Sequence, residues 1–502
     1  MFISAIDMTI VNVALPDIAE ELRAGVNDLQ WVIDAFLVSF AGLLLVGSGL
    51  ADRFGRRRIF LAGFTAFAIA SLLAAVGAKP LQLIVARALM GASVACVLPP
   101  ALSLVAVMFP PEERSRALAV WSAVAGLGFA LGPPIGGALV DAAGWSAVFL
   151  VNVPVAIAAV PLGLAALPES RRPGAPQLDL AGAALSVLAL GGIVFALIEG
   201  SNIGWTSPAV VGAATVGLAA AAIFFLVELR RASPLFDVRV LARPRLASAG
   251  GALFAMYASI LGILFLLPQY LQYVQDRPAA TAGLVLLPLG AALGVASPCS
   301  AVVLRRLGAR ATVAGGLVGM AAGSAILLSL DPRTSPVLVG AAVAAVGAAF
   351  GLCAAPATAV VMDDLPLAKA GDGAAVNQLA RQVGGAVGVA LVGTIFATVY
   401  AEDVRGSVSA LPSASRDVAE QSIEGAIRAS SALDDGPRDR LLVAADRSFD
   451  VAARAGIAVC TLVLLLAAAA ALIGLRVQRG GKRLVPEARP APMAPRAPPV
   501  SH

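Results

Sequence analysis

Three ionisable residues stand inside long apolar stretches of this 502-residue chain: Asp7, Asp34 and Arg87. The stretches around Asp34 and Arg87 are long enough to cross a membrane as helices, the stretch around Asp7 is somewhat shorter, and a charge at mid-bilayer costs about 2.5–3.5 kcal/mol. Such residues usually face an aqueous cavity or pair with one another. We therefore predict that the three meet in one cavity, where protonation of a carboxyl group is coupled to the side on which the cavity opens. The alternative is that Asp34 or Arg87 extends to the membrane surface.

The remaining chemistry of the sequence is sparse. The only histidine is His502, and the four cysteines stand singly in apolar segments, which predicts neither a metal site nor a disulfide framework. There is no G-x-x-x-x-G-K-[ST] nucleotide-binding motif and no visible nucleophile–base set. We therefore expect no enzymatic activity, no metal and no cofactor, with protons as the coupling ion.

The composition indicates a polytopic helical membrane protein. Hydrophobic residues make up 59% of the chain, and its mean hydropathy is +0.88. Apolar runs of about twenty residues recur, each enough to span about 30 Å of hydrocarbon. The net charge of +5 reflects loops at an anionic membrane surface and predicts no nucleic-acid partner.

Fourteen membrane-spanning helices are expected. The first ends at about Pro16 and has only about sixteen residues before Asp17, so either it is shorter than its neighbours or the native start lies upstream. The others are expected at about 29–50, 59–77, 81–107, 115–140, 145–167, 178–200, 208–228, 246–268, 281–304, 311–330, 336–362, 375–400 and 452–475.

A charged connection, Gly47–Arg58, separates the second and third spans. Its four arginines place it on the cytoplasmic side, which also puts both chain termini in the cytoplasm. The polar segment 401–450 then lies outside, with short amphipathic helices. An arginine-rich inner loop with no special role is the simpler alternative for Gly47–Arg58.

The two ends of the sequence are related by an internal repeat. Adding 256 to Gly91, Pro100, Gly128 and Gly132 gives Gly347, Pro356, Gly384 and Gly388. We therefore predict a six-helix half over 1–167, a linker with two inserted helices over 168–245, a second six-helix half over 246–475, and a disordered cytoplasmic tail over 476–502.

The predicted fifth span carries glycines on one face. Gly128, Gly132 and Gly136 recur every four residues, a spacing that allows close approach of another helix. Pro133 and Pro134 remove backbone donors in the same helix. Gly384, Gly385 and Gly388 form the equivalent face in the second half. A plain packing motif without a functional role is the alternative.

Several motifs together resemble the major facilitator superfamily, in particular its fourteen-helix drug:proton antiporters. Leu50-Ala-Asp-Arg-Phe-Gly-Arg-Arg57 matches the signature of the loop between helices 2 and 3, with Ser48 in place of its first glycine. Gly128–Gly137 matches the antiporter motif of helix 5. Further stretches are similar to the signatures of helices 1, 2, 4, 6 and 13: Asp7–Pro16, Trp31–Phe36, Arg87–Gly91 with Met90 replacing a glutamine, Trp145–Pro154, and Asn377-xxx-Arg381-xx-Gly384.

The resemblance implies roles for these residues. Asp7 and Asp34 would take part in cation recognition or proton coupling, and Arg87 would support proton coupling. The loop residues Asp52, Arg53, Gly55, Arg56 and Arg57 would form a latch for the outward-facing state. Gly128, Gly132, Pro133, Gly136 and Gly137 would mark an exporter, with Asn377, Arg381, Gly384 and Gly388 in the matching helix of the second half.

The function expected from these features is proton-driven export of small lipophilic compounds, cationic ones among them. The exporter would be a monomer in the cell membrane that acts as a secondary transporter with alternating access. An uptake symporter or facilitator is the nearest alternative, and it is disfavoured by the helix 5 motif. A receptor or scaffold without transport is a third hypothesis. The sequence does not identify the substrate.

Overall fold

The computed structural model describes residues 2–171, 178–230, 238–329, 331–365, 370–409, 411–431 and 433–475. The described secondary structure is helical. The α-helices are α1 Phe2–Leu22, α2 Val26–Phe54, α3 Arg56–Ala75, α4 Pro80–Ala95, α5 Leu98–Met108, α6 Pro111–Ala143, α7 Ala147–Leu150, α8 Asn152–Ala166, α9 Leu180–Ile203, α10 Pro208–Arg230, α11 Pro244–Gln269, α12 Ala279–Leu327, α13 Pro336–Asp363, α14 Ala370–Val408, α15 Ser413–Gln421, α16 Ile423–Ser430 and α17 Asp435–Gly474. A 3₁₀ turn, Val238–Ala242, precedes α11, and a π-helical turn, Tyr270–Val274, follows it.

The predicted number of membrane crossings agrees with the described helices. Thirteen stretches are long and apolar enough to span a membrane, and the pairs α4–α5 and α7–α8 each count as one. The 49-residue α12 would be roughly 70 Å long if it were straight, more than two membrane thicknesses. Its backbone is not helical at Gly308, where φ is +76°, so α12 consists of two consecutive helices and the described residues contain fourteen potential crossings.

The first helix is longer than the sequence suggested. It continues through Pro16 to Leu22, and its 21 residues extend about 31 Å, enough to cross the hydrocarbon core. The expectation of a helix shorter than its neighbours, ending at Pro16, is therefore wrong. A proline removes one backbone donor from a helix, and in α1 the chain continues past it.

Glycine contacts confirm the internal repeat. A side chain at Gly91 of α4 would collide with the backbone of Phe36 on α2, and one at Gly347 of α13 with the backbone of Leu289 on α12. Each glycine therefore brings the equivalent pair of helices together. Gly55 and Gly308 also correspond, since both have positive φ at the connection between two spans.

The same correspondence holds for α6 and α14. Gly128 lies against the backbone of Phe2 on α1, and Gly384 lies against the backbone of Phe254 on α11. We call α1–α8 the first bundle, and α11–α14 with α17 the second bundle. Between them in sequence, α9 and α10 pack on each other, and α9 contacts both α2 and α14.

The two ends of the molecule differ in structure. At one end, α14 and α17 continue beyond a membrane thickness and pack with the short helices α15 and α16, as expected for segment 401–450. We call this the cap end, and the opposite end, which carries Asp52–Arg58, the loop end. Parts of the two predicted linkers, 172–177 and 231–237, and the tail from 476 lie outside the described residues. The predicted domain limits stay predictions.

Candidate functional site

An ion pair is buried inside the first bundle. Nη1 of Arg87 on α4 lies 2.6 Å from Oδ2 of Asp7 on α1, and the two side chains are 2% and 0% exposed. Nε of Arg87 also donates to the carbonyl of Val32 on α2 at 2.9 Å. One guanidinium group therefore joins three helices.

The second oxygen of Asp7 also has a partner. Nδ2 of Asn152 on α8 donates to Oδ1 of Asp7 at 3.4 Å and to Oγ of Ser71 at 3.0 Å. The Ser71 hydroxyl in turn donates to the carbonyl of Phe149 at 2.9 Å. These bonds fix the carboxylate from both sides and satisfy polar groups that would be costly alone in an apolar core.

Aromatic rings cover the guanidinium of Arg87. Its Cζ lies 4.5 Å from the ring centre of Phe36 and 6.0 Å from that of Phe149. At these distances a cation is attracted to the ring faces. Arg87 therefore points into the bundle, and its position does not fit the alternative in which it extends to the membrane surface.

Asp34 occupies a different environment from Asp7. It is completely buried, and neither of its oxygens has a hydrogen-bond partner among the described residues. The predicted meeting of three residues is therefore corrected to an ion pair and a separate carboxyl group. An ionised carboxylate without a partner is very costly in such a place, and protonation removes that cost.

Helix periodicity shows where Asp34 lies. It shares one face of α2 with Gln30 and Leu37, four residues before it and three after it. Nε2 of Gln30 donates to the carbonyl of Ala390 on α14 at 3.1 Å, and Leu37 packs beside Gly385 of the same helix. Asp34 is thus on the face of α2 that meets the second bundle.

The Arg87 contacts lie on another face of α2. Val32 and Phe36 are four residues apart, and Ser39 continues that face with a hydrogen bond from its Oγ to the carbonyl of Ala88 on α4 at 2.8 Å. The two carboxyl groups therefore differ in setting. Asp7 is paired with Arg87 inside one bundle, while Asp34 lies where two bundles meet and has no hydrogen-bond partner in the described part of the chain.

The glycine face predicted on the fifth span packs against α1. Side chains at Gly128, Gly132 and Gly136 would collide with Phe2, Thr9 and Ile10, respectively. Oγ1 of Thr9 also donates to the carbonyl of Phe129 at 3.4 Å. The close approach of another helix is therefore present, and it connects α6 directly to the helix that carries Asp7.

The same helix also contacts the second bundle. Gly137 lies against the backbone of Ala279 on α12, and the carbonyl of Pro133 lies against Gly283. Nearby, the carboxylate of Asp141 accepts hydrogen bonds from the backbone N–H groups of Ala279 and Ala280 at 3.1 and 3.0 Å. The motif of α6 therefore lies between α1 and α12.

The charged loop is bound to the segment that follows α8. Asp52 and Arg56 form an ion pair at 2.9 Å. Glu169, which sequence analysis missed, accepts a hydrogen bond from the backbone N–H of Arg57 at 3.2 Å, and its carboxylate lies 3.7 Å from Nε of Arg58. Gly55 leaves the space that the Glu169 carboxylate needs.

The loop makes two further contacts. Nη1 of Arg57 donates to the carbonyl of Leu167 at 3.2 Å, and the guanidinium of Arg53 lies 5.6 Å from the ring centre of Phe54. All these partners belong to the first bundle or to the segment directly after it. The latch role of the loop stays a prediction.

The residues singled out on α14 lie on its side facing α11 and α13. The guanidinium of Arg381 lies 4.7 Å from the ring centre of Tyr257 on α11, and the side-chain Oδ1 of Asn377 accepts a hydrogen bond from the hydroxyl of Thr358 at 3.2 Å. Gly384 and Gly388 pack against the backbone of α11. The second bundle thus has an arginine but, among the described residues, no ion pair that corresponds to Asp7–Arg87.

Hydrogen bonds between the two bundles are confined to the cap half of the described structure. Besides the contacts of Gln30 and Asp141, the π-helical turn bonds to α1: Nε2 of Gln272 donates to the carbonyl of Val13 at 3.0 Å, and the Tyr273 hydroxyl to that of Pro16 at 3.3 Å. The molecule is therefore closed at the cap end.

These features define a class of protein. Two repeated helical bundles meet around a buried carboxyl group and are closed at one end, which is the architecture of a secondary transporter. The sequence model of the Major Facilitator Superfamily matches residues 1–389, and the chain belongs to that family.

Similar proteins include several resistance and efflux proteins. The chain is 32% identical to a multidrug efflux pump of Mycolicibacterium smegmatis over 95% of this chain and 94% of the pump. It is 38% identical to a puromycin resistance protein of Streptomyces alboniger, over 78% of each chain. It is also 34% identical to a multidrug resistance protein of Mycobacterium tuberculosis, over 79% of this chain and 74% of that protein.

Solved structures agree with the fold. A bacterial homologue of the human lysosomal transporter Spinster, in an inward-facing and unoccupied conformation, superposes with a TM-score of 0.65 over 94% of this chain and 95% of that one, at 15% identity. A D-xylose–proton symporter gives a TM-score of 0.56 over 78% and 87% of the two chains, at 13% identity. The predicted fold class is therefore confirmed.

Proposed function

We propose that this protein is a proton-driven exporter of small lipophilic compounds, with no enzymatic activity and no cofactor besides the proton. The observation that carries the proposal is Asp34, a fully buried carboxyl group that has no hydrogen-bond partner among the described residues and lies on the surface where the two bundles meet. A group there changes its access to water when the bundles rock, so it can take a proton on one side and release it on the other.

The direction of transport is supported by the relatives and by the glycine motif of α6. Relatives that the chain covers over most of their length are named for multidrug efflux or for antibiotic resistance. We assign the loop end to the cytoplasm, because its arginines are of the type retained there. The closed cap end then faces outward, in a state that would admit a compound from the inside.

The test is transport by purified protein in liposomes with an imposed pH gradient, with puromycin and a lipophilic dye as probes. Wild-type protein is expected to move a probe against its gradient only while the pH gradient is present. Asp34→Asn should abolish this driven transport and still allow exchange of probe across the membrane. The substitution removes the group that carries the proton but breaks no hydrogen bond among the described residues.

Two results would contradict the proposal. One is driven transport at the wild-type rate by the Asp34→Asn variant, and the other is wild-type transport that persists when an uncoupler removes the gradient. Asn27→Ala is a suitable control, since Asn27 is also on α2 and, within the described residues, its side chain donates to the carbonyl of Ile198 on α9. It should keep the dependence on the gradient.

A further inference from the structure

The N-terminus of α12 has no side-chain cap from its own helix. The helix begins after Pro278, whose side chain offers no hydrogen-bond acceptor, and its first turn contains no acidic residue. The first N–H groups of a helix have no partner inside that helix, and a side-chain oxygen or water usually satisfies them. A side chain that caps α12 therefore has to come from another part of the molecule.

Asp141 supplies this cap from the opposite bundle. It lies near the end of α6, in the first bundle, and α12 belongs to the second. Its Oδ1 accepts a hydrogen bond from the backbone N–H of Ala279 at 3.1 Å, and its Oδ2 accepts one from that of Ala280 at 3.0 Å. The partial positive charge at a helix N-terminus also attracts a carboxylate. One charged side chain therefore joins the two bundles at the cap end.

The glycines of α6 and α12 allow this contact. Gly137 precedes Asp141 by four residues, so both lie on one face of α6. A side chain at Gly137 would collide with the carbonyl of Ala279, and one at Gly283 would collide with the carbonyl of Pro133. The two backbones therefore touch directly, and this close approach brings the start of α12 within reach of Asp141.

The repeat contains no second contact of this kind. The position 256 residues after Asp141 is Ala397 on α14, which has no carboxylate to offer. The helix α2, which corresponds to α12, is capped within its own bundle, because the carboxylate of Asp28 accepts from the N–H of Gly25 at 3.1 Å. The cap that crosses between bundles is thus a feature of α6 and α12 and not of the framework that the two halves share.

We propose that Asp141 is the outer latch of the transporter, whose bonds to α12 hold the molecule closed toward the outside. The two bonds join separate bundles, so they have to break each time α6 and α12 separate at the cap end. The proposal rests on the export proposed above, because it assumes that the two bundles rock against each other. It assigns the closed outer state to one carboxylate and two backbone N–H groups.

The exposure of Asp141 suits a contact that forms and breaks in every cycle. Asp141 is exposed, so its charge is in water whether the latch is closed or open. The Asp7–Arg87 pair, in contrast, is buried within one bundle, and separating such a pair would leave charges without partners in an apolar core. That pair therefore holds the first bundle together, while Asp141 makes a reversible contact between bundles.

The width of the outer end provides the test. Spin labels are placed on cysteines at Lys79 and Arg333, which are exposed in cap-end connections of the first and the second bundle, respectively. Native Cys96 and Cys299 are replaced by serine, because the other two cysteines are buried. The distance distribution of the full-length protein is then recorded by pulsed electron resonance in lipid nanodiscs. Each variant is also made on a Tyr273→Phe background, which removes another bond across the cap end and so makes the longer distance easier to measure.

Asp141→Asn should raise the ratio of the longer to the shorter distance roughly threefold to thirtyfold, the range expected for loss of one helix cap. Pro278→Ser should also raise it, by a smaller factor, because a serine hydroxyl at the start of α12 competes with Asp141 for the same N–H groups. This variant gives the helix a cap, so poor folding would not account for the shift. Asp28→Asn is the matched control, since it weakens a cap within one bundle, and it should leave the ratio unchanged.

An Asp141→Asn variant with the wild-type distance distribution on both backgrounds would overturn the proposal. So would an Asp28→Asn variant that shifts the distribution as far as Asp141→Asn, because any lost helix cap would then have the same effect. An unchanged distribution in Pro278→Ser would contradict it as well. The measurement uses neither substrate nor a gradient, so such results would leave the proposed export untouched. Failure of export itself is detected separately, in the liposome experiment with Asp34→Asn.

Discussion

Removing one partner of the Asp7–Arg87 pair should destabilise the protein far more than removing both. The perturbation is Asp7→Asn, compared with Arg87→Gln and with the double variant. Both side chains are almost completely buried and lie 2.6 Å apart. In the single variants one charge stays buried with neutral partners only, whereas in the double variant no charge remains.

The expected size follows from that burial. Leaving one member of a buried ion pair without its partner costs about 3–5 kcal/mol, while replacing both members by neutral groups is often close to neutral. Each single variant should therefore lose about 3–5 kcal/mol of unfolding free energy, and the double variant should recover most of it. Asp34→Asn is the matched control. We expect its unfolding free energy to change by less than about 1 kcal/mol, because no described residue is hydrogen-bonded to Asp34 and would lose a partner.

The assay is unfolding in mixed micelles of dodecyl maltoside and sodium dodecyl sulfate, followed by tryptophan fluorescence. Trp145 reports on the first bundle, since it is buried and bonded to Glu21 at 2.8 Å. Single variants whose unfolding free energy lies within about 1 kcal/mol of the wild-type value would refute the argument. A double variant as unstable as the sum of the two singles would refute it as well, because it would show that the two side chains do not interact.

Three further predictions concern other parts of the molecule. Gly132→Val should lower the unfolding free energy in the same assay by about 1–3 kcal/mol, because the added side chain would collide with Thr9. Gly126→Val, at a position with open space, is the control, and an equal loss in both variants would show that the α1–α6 contact is not tight. Glu169→Gln should slow transport severalfold, while the unfolding free energy changes by less than about 1 kcal/mol. An unchanged transport rate would exclude a role in transport for the contact between Glu169 and Arg57. Thermal stability should fall as pH rises above the ordinary glutamate pKa and through the raised pKa of Glu424, because burial penalises the ionised form only in the folded state. The Glu424→Gln variant should show a smaller fall, and a fall identical to that of the wild type would argue against a raised pKa of Glu424.

Features that depend on local pattern could be predicted from the sequence. The number of crossings follows from the length of apolar runs, and the repeat follows from glycines at a constant offset. Gly128, Gly132 and Gly136 lie on one helix face whatever the neighbours are, so the sequence indicated a close helix contact. The end of α1 was misplaced, because a proline in the last turns of a membrane helix does not necessarily end it.

Family resemblance supplied part of the site, but the contacts came only from the structure. Asp7 and Arg87 are eighty positions apart, and nothing in their spacing indicates that they touch while Asp34 stands alone. Which side chains meet depends on how each helix is rotated and how deeply it lies, and these are set by packing between helices. A rotation of α2 by half a turn would exchange the surroundings of Val32 and Asp34.

The sequence by itself determined that this protein is a helical membrane protein of two related halves, with charged groups inside it. Hydrophobicity and glycine spacing are properties of single segments, so they can be recognised without the fold. The tertiary structure alone decided that Asp7 is paired with Arg87, that Asp34 has no hydrogen-bond partner among the described residues, and that Glu169 contacts a loop distant in sequence. Those partnerships arise when helices from separate parts of the chain pack together, since the strength of an ionic or hydrogen-bonded contact depends on distances of a few ångströms.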